Sequence, residues 1–210
     1  MKSFVNFLSA FRIAAAFAII PTMLVGWYWI SFILYVLASL SDFFDGWLAR
    51  KYDVCSKIGG VMDHIGDKLL VVNTLIVLAM VLTFILPMFV PYTAPWMIII
   101  PVILMVSREL YISGLREFLG TQKIEMPVPK ARFSMGKIKT TLQMIASSAL
   151  LLGLCMPTLF GVPTFAGTAP YAFLVLMYAG IIGVWLALVA SVWSATQYTF
   201  TFLEKIKKIK

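Results

Sequence analysis

Charge is missing from three long stretches of the chain, Ile13–Ser41, Leu69–Ser107 and Thr140–Leu203, of 29, 39 and 64 residues. A helix crosses a bilayer with about 20 apolar residues, so each stretch predicts two spans joined by a turn. The turns are visible as breaks in the apolar pattern. Gly26-Trp27-Tyr28-Trp29 interrupts the first stretch; Pro87, Pro91, Tyr92, Pro95 and Trp96 the second; Pro157, Gly161, Pro163, Gly167 and Pro170 the third. Glycine and proline punctuate regular structure, and tryptophan and tyrosine suit the membrane–water interface. Three hairpins predict six helices, at roughly 7–25, 28–50, 58–86, 95–119, 134–156 and 170–203.

Composition agrees with that reading. The chain is 61% hydrophobic and 12% charged, with a mean hydropathy of +0.96, whereas a soluble globule carries about a quarter charged residues. The predicted architecture is an all-α integral membrane protein of six transmembrane helices. The charged residues then gather at one face: Lys2, Arg12, Arg50, Lys51, Lys57, Arg108, Arg116, Lys123, Lys130, Arg132, Lys137, Lys139 and the run from Lys205 to Lys210. The excess of lysine and arginine marks that face as cytosolic, which places both termini there. The net charge of +8 becomes a one-sided field toward anionic headgroups and anionic soluble substrates. The N-terminal apolar stretch lacks a convincing small-residue cleavage site and is expected to be retained. Cys55 falls on the cytosolic side and Cys155 near the opposite face, so no disulfide within the chain is expected. There are no repeats and no soluble domain.

Against this background the acids stand out. The chain has five aspartates and four glutamates, and four of the aspartates follow one another as Asp42-x-x-Asp45-Gly46-x-x-Ala49-Arg50, eight residues, then Gly59-x-x-x-Asp63-x-x-x-Asp67. Residues three or four apart share a helix face. Asp42, Asp45, Gly46 and Ala49 form one stripe; Gly59, Asp63 and Asp67 form another. From Asp67 to Leu86 is 19 residues, about 29 Å of helix, close to the full hydrocarbon thickness. Asp67 therefore belongs near the cytosolic boundary, at the level of lipid phosphates, and Asp42 on the preceding helix lies at a similar depth.

A carboxylate in the middle of a membrane helix costs about 2.5–3.5 kcal/mol even on the lenient insertion scale. Four together also repel one another. Divalent cations remove both penalties, and hard oxygen donors suit Mg²⁺, Mn²⁺ or Ca²⁺ rather than zinc. Ion pairing with Arg50, Lys57 or Lys68 is the bland alternative, and it leaves the glycines and the repeated spacing unexplained.

The pattern resembles the signature of the CDP-alcohol phosphotransferase family, D-x2-D-G-x2-A-R-x8-G-x3-D-x3-D, at every fixed position. Further on, Ser107-Arg108-Glu109-Leu110, Ser113-Gly114-Leu115-Arg116-Glu117 and Gly136-Lys137-Ile138-Lys139-Thr140 resemble the branch of that family whose acceptor is glycerol 3-phosphate. The start Asn6…Phe11-Arg12-Ile13 is similar to that branch's opening motif. Val5 and Ser9 replace its usual Pro and Thr, and His64 and Gly66 replace the common Pro and Ala among the acids. His64 either tunes Asp63 or Asp67 or faces interfacial water.

The resemblance implies one membrane domain over residues 1–210 that moves the phosphatidyl group of CDP-diacylglycerol to sn-glycerol 3-phosphate, giving phosphatidylglycerol phosphate and CMP. It implies Mg²⁺ or Mn²⁺, as two ions, on Asp42, Asp45, Asp63 and Asp67, with Asp67 also the general base. Gly46, Ala49 and Gly59 would make room for the cytidine, and Arg50 would contact a nucleotide phosphate. Arg108, Arg116, Lys137 and Lys139 are the candidates for the acceptor phosphate, since arginine suits bidentate phosphate contact; topology anchoring is the other reading of these cations. A homodimer in the inner cell membrane, with its site on the cytosolic face and no nucleic acid partner, is expected. Two alternatives remain: a sister enzyme with another acceptor such as inositol phosphate, and a cation transporter. A transporter predicts acids near the bilayer midplane, often on broken helices.

Overall fold

In the computed structural model the chain forms α1 (Lys2–Leu24), α2 (Tyr28–Tyr52), α3 (Lys57–Phe89), α4 (Trp96–Thr121), α5 (Met135–Leu159) and α6 (Tyr171–Lys207). The structure describes the backbone of residues 2–52, 57–121, 135–159 and 171–207, and the side chains of 7–41, 60–62, 65–121, 138–156 and 171–206. The hydrophobic pattern anticipated all six helices within a few residues at each end.

Two turns show why the chain reverses where it does. Gly26 has φ +86°; its N–H bonds the carbonyl of Met23 at 3.1 Å, and the Trp27 N–H reaches back to Thr22 at 2.8 Å. That pair of bonds is the left-handed glycine stop of a helix, which a side chain at Gly26 would strain. The Ser31 hydroxyl then donates to Thr22 Oγ1 at 2.8 Å, tying α2 to α1. The second turn differs from the sequence expectation, which ended the helix before Pro87. Helix α3 runs through Pro87 to Phe89. So near a helix end the proline forfeits a single backbone bond, and Thr93 Oγ1 donates to the carbonyls of Leu86 and Val90 at 3.1 and 2.7 Å.

Side-chain contacts fix the helix directions. Arg12 meets Asp67, and the Asn73 amide bonds the Ala16 carbonyl, so α1 and α3 run parallel. Trp185 Nε1 donates to the Met97 carbonyl at 2.9 Å and Arg108 reaches Ser191 and Ser194, so α4 and α6 run parallel. Lys139 meets Glu109 and Gln143 meets Met105, so α5 runs antiparallel to α4, and Lys68 of α3 meets Ser113 of α4. The start of α1 and the end of α6 therefore lie at one end of the bundle, together with Asp67, Lys68, Arg116 and Lys139.

Leu70, Leu75, Leu78, Leu82, Leu150, Leu154, Met177 and Val184 fill the interior. The outer surface is apolar too: Phe84 is 71% exposed, Val189 64% and Phe200 69%. An apolar shell of that extent suits lipid rather than water. Five helices carry segments long and apolar enough to cross a membrane, among the described residues; the apolar part of α2, Tyr28–Ser41, is shorter.

Helices α5 and α6 pack through small residues, as helices in lipid do. A Cβ on Gly183 would lie 2.9 Å from Ala146 Cβ and 3.5 Å from its Cα, neither of which can rotate away. Gly183→Val is expected to destabilise the bundle by about 1–3 kcal/mol through overpacking, measured as a lower melting temperature in detergent. Gly114→Ala, inside α4 with nothing within 4 Å of the new methyl, is expected to leave the packing intact and to stabilise by up to about 1 kcal/mol through helix propensity.

Candidate active site

The aspartate signature lies on two helices. Asp42, Asp45, Gly46, Ala49 and Arg50 fall in the second half of α2, while Gly59 and Asp63 fall in the first turns of α3, ahead of Asp67. The helical backbone through both segments gives the spacing its one-face meaning. The side chains of Asp42, Asp45, Ala49, Arg50, Asp63 and His64 lie outside the described residues, as do the surroundings of Gly46 and Gly59 and the Lys137 side chain in the first turn of α5.

Asp67 is the described member, and its partner is one the sequence did not single out. Arg12 Nη1 donates to Asp67 Oδ1 at 2.6 Å, with the arginine side chain 0% exposed and the aspartate 35%. Of the cations the sequence offered as partners for the acids, Lys68 is described, and it goes elsewhere. A buried arginine in an apolar span is costly unless it is paired, and Asp67 supplies the opposite charge. At Gly66 a Cβ would sit 3.4 Å from Arg12 Cδ and from Ile13 Cγ1, an ordinary contact distance, so α1 passes α3 closely and the alanine common at this position would also fit. A sequence signal existed in Arg12 itself, a full charge inside the otherwise uncharged span Phe7–Leu24.

A basic cluster stands on the other side of α3. Lys68 Nζ donates to Ser113 Oγ on α4 at 2.7 Å. One residue-pair deeper, Glu109 accepts from Arg108 Nη1 at 3.1 Å and pairs with the Lys139 ammonium of α5. The Arg108 and Lys139 side chains are 9% and 8% exposed, so this is an interior network. Arg108 is spent on it: Nε donates to the Ser191 carbonyl at 3.1 Å and Nη2 to Ser194 Oγ at 2.9 Å, both on α6. Its stem also walls a groove of about 470 Å³ between α4 and α6, with Tyr111, Thr199 and Phe200.

Of the four cations proposed for an acceptor, Arg108 and Lys139 are thus brought together through Glu109. Arg116 is exposed, donating to the Tyr198 hydroxyl at 2.9 Å with its guanidinium 5.1 Å from the ring centroid, and its charge reaches Lys68. Lys68 and Glu109 join the group, and the sequence reading gave neither a role in it.

The family profile described as CDP-alcohol phosphatidyltransferase matches residues 3–193. Among curated proteins, the chain is 39% identical over 136 residues to a CDP-diacylglycerol–glycerol-3-phosphate 3-phosphatidyltransferase of Cereibacter sphaeroides, covering 64% of this chain and 54% of that protein. A protein of the same name from Rickettsia bellii is 38% identical over 155 residues, 70% of this chain and 74% of its own length. Another, from Salmonella choleraesuis, is 31% identical over 169 residues, 80% of this chain and 76% of its own. With both halves of the aspartate signature on adjacent helices and the profile spanning nearly the whole sequence, the chain belongs to the CDP-alcohol phosphatidyltransferase family.

Proposed function

We propose that this protein transfers the phosphatidyl group of CDP-diacylglycerol to the 1-hydroxyl of sn-glycerol 3-phosphate, a step of phospholipid biosynthesis. The observation that carries this reading is the juxtaposition on α3: Asp67 closes the complete family signature, and its neighbour Lys68 faces a buried basic cluster on α4 and α5. The names of the relatives support the same donor and acceptor.

The donor set fits hard divalent cations in its chemistry. Asp42, Asp45, Asp63 and Asp67 offer carboxylate oxygens only, at helical spacing, at one end of an apolar bundle, and Mg²⁺ or Mn²⁺ accepts such donors. These residues would hold the ions, two in our reading. When bound, divalent cations neutralise the diphosphate and the charge that grows on departing CMP.

The chain's own residues supply the rest. Asp67 accepts the proton of the acceptor hydroxyl as that oxygen bonds the phosphatidyl phosphorus. The bond from that phosphorus to the bridging oxygen breaks, and CMP leaves with the bridging oxygen. Arg12, bound to Asp67 Oδ1, fixes the plane of the carboxylate. Gly46, Ala49 and Gly59 leave space for the cytidine, and Arg50 contacts a nucleotide phosphate. Arg108, Arg116, Lys137 and Lys139 set the positive field for the acceptor phosphate. The lysine and arginine excess at this end orients it, and both termini, toward the cytosol, with the protein in the inner membrane as a homodimer.

The test is an acceptor panel. Purified protein receives CDP-diacylglycerol, Mg²⁺ or Mn²⁺, and labelled glycerol 3-phosphate, inositol phosphate or serine. Lipid label is expected with glycerol 3-phosphate alone and is expected to vanish with EDTA. Label transfer from inositol phosphate or serine instead would overturn the acceptor assignment.

A further inference from the structure

The acceptor has a hydroxyl and a phosphate joined by three carbons. If the hydroxyl gives its proton to Asp67, the phosphate must sit a few ångströms away. Among the described cations, Arg12 is bound to Asp67 itself, Arg108 is spent on Ser191, Ser194 and Glu109, and Arg116 is exposed against Tyr198. Lys68 follows Asp67 directly on α3 and reaches the other way, to α4. We infer that Lys68 is an acceptor-phosphate-binding residue, acting with Lys139, and that Ser113 and Glu109 are the positioning residues that aim the two ammonium groups.

Each part of the arrangement supports this. An ammonium has three donors, and the Ser113 hydroxyl uses one of those on Lys68 while holding its four-carbon stem in place. Glu109 does the same for Lys139 from α4 to α5. The Glu109 carboxylate also feels the charges of Arg108 and Lys68, so the groups form one electrostatic unit. Among the described residues Lys68, Arg108 and Lys139 surround one carboxylate, with Arg116 also in electrostatic reach of Lys68, so the cluster is net positive, the sign that a dianionic phosphate monoester requires. An acceptor without a phosphate has no partner for that charge. The role of Glu109 is then to keep the cations ordered and close in a low-dielectric setting, where unpaired like charges would drive apart.

This inference rests on the proposed transferase reading, and the experiment separates the two. Initial rates are measured for the wild-type protein, Lys68→Met, Lys68→Arg and Ser113→Ala, varying glycerol 3-phosphate and CDP-diacylglycerol in turn. Lys68→Met is expected to raise KM for glycerol 3-phosphate about tenfold or more, the usual worth of a charge-assisted hydrogen bond. KM for CDP-diacylglycerol is expected to stay within about twofold, and Lys68→Arg to recover most of the acceptor affinity because it keeps the charge. Ser113→Ala is expected to give a smaller rise of the same kind. Protection against thermal unfolding by glycerol 3-phosphate, a readout independent of turnover, is expected in the wild type and lost in Lys68→Met. An unchanged acceptor KM in Lys68→Met, equal losses in Lys68→Met and Lys68→Arg, or parallel rises in both KM values would overturn the Lys68 assignment while the transferase reading stands. Wild-type turnover with an unphosphorylated acceptor alone would overturn both.

Discussion

Asp67→Asn is expected to lower turnover about a thousandfold, in the middle of the range for loss of a positioned general base. The substitution keeps the size of the side chain and an oxygen that can accept from Arg12, but it removes the counter-charge that Asp67 gives the fully buried guanidinium, so a lower melting temperature is expected beside the loss of rate. What it removes is the basic oxygen and the negative charge. The effect falls on the chemical step and, because Asp67 is also among the carboxylates proposed to hold the ions, on the Mg²⁺ requirement, so the rates are compared at saturating Mg²⁺ and per folded protein. Rates are read as CMP released at saturating substrates. A decrease of less than about tenfold would show that another group takes the hydroxyl proton.

Arg12→Met is expected to act first on stability. The arginine side chain is fully buried and its partner is about two-thirds covered. Removing one member of a buried pair costs about 3–5 kcal/mol, because the other charge is left without compensation. The lower end, about 3 kcal/mol, applies here, since Asp67 keeps enough exposure for water to offset part of the loss. Thermal unfolding in detergent without divalent ions provides the measurement. The double variant Arg12→Met with Asp67→Asn should be more stable than Arg12→Met alone, because the carboxylate that Arg12 neutralised no longer carries its charge. A double-mutant cycle with additive effects would mean that the two residues are not coupled, contrary to the 2.6 Å contact. Turnover of Arg12→Met should fall as well, through a misoriented carboxylate, and Arg12→Lys should restore part of it.

The sequence carried the helices and the aspartate stripes because both depend on local spacing. Gaps in charge mark spans, Gly26 and Pro91 mark reversals, and the three- and four-residue intervals of Asp42, Asp45, Asp63 and Asp67 need only a helix to gain meaning. The end of α3 was less legible, because Pro87 signals a break that a helix near its terminus can absorb. The partners of the charges were not legible at all. Arg12 and Asp67 are 55 residues apart, Lys68 and Ser113 45, and Glu109 and Lys139 30. Those pairs follow from which helices run parallel and which face meets which, and no single-helix periodicity encodes that. Arg108 shows the consequence. Its sequence context resembles an acceptor site, and its guanidinium also ties α4 to α6, which that context did not reveal.

The central claim is direct attack of the acceptor hydroxyl on the phosphatidyl phosphorus, with CMP as leaving group, and one labelling measurement tests it. The protein is supplied with CDP-diacylglycerol, Mg²⁺ and sn-glycerol 3-phosphate carrying heavy oxygen in its 1-hydroxyl, and both products are analysed by mass spectrometry. The heavy oxygen is expected in the lipid product, with none in CMP and one CMP for each lipid formed. CMP released without acceptor, or a lipid product lacking the heavy oxygen, would contradict it.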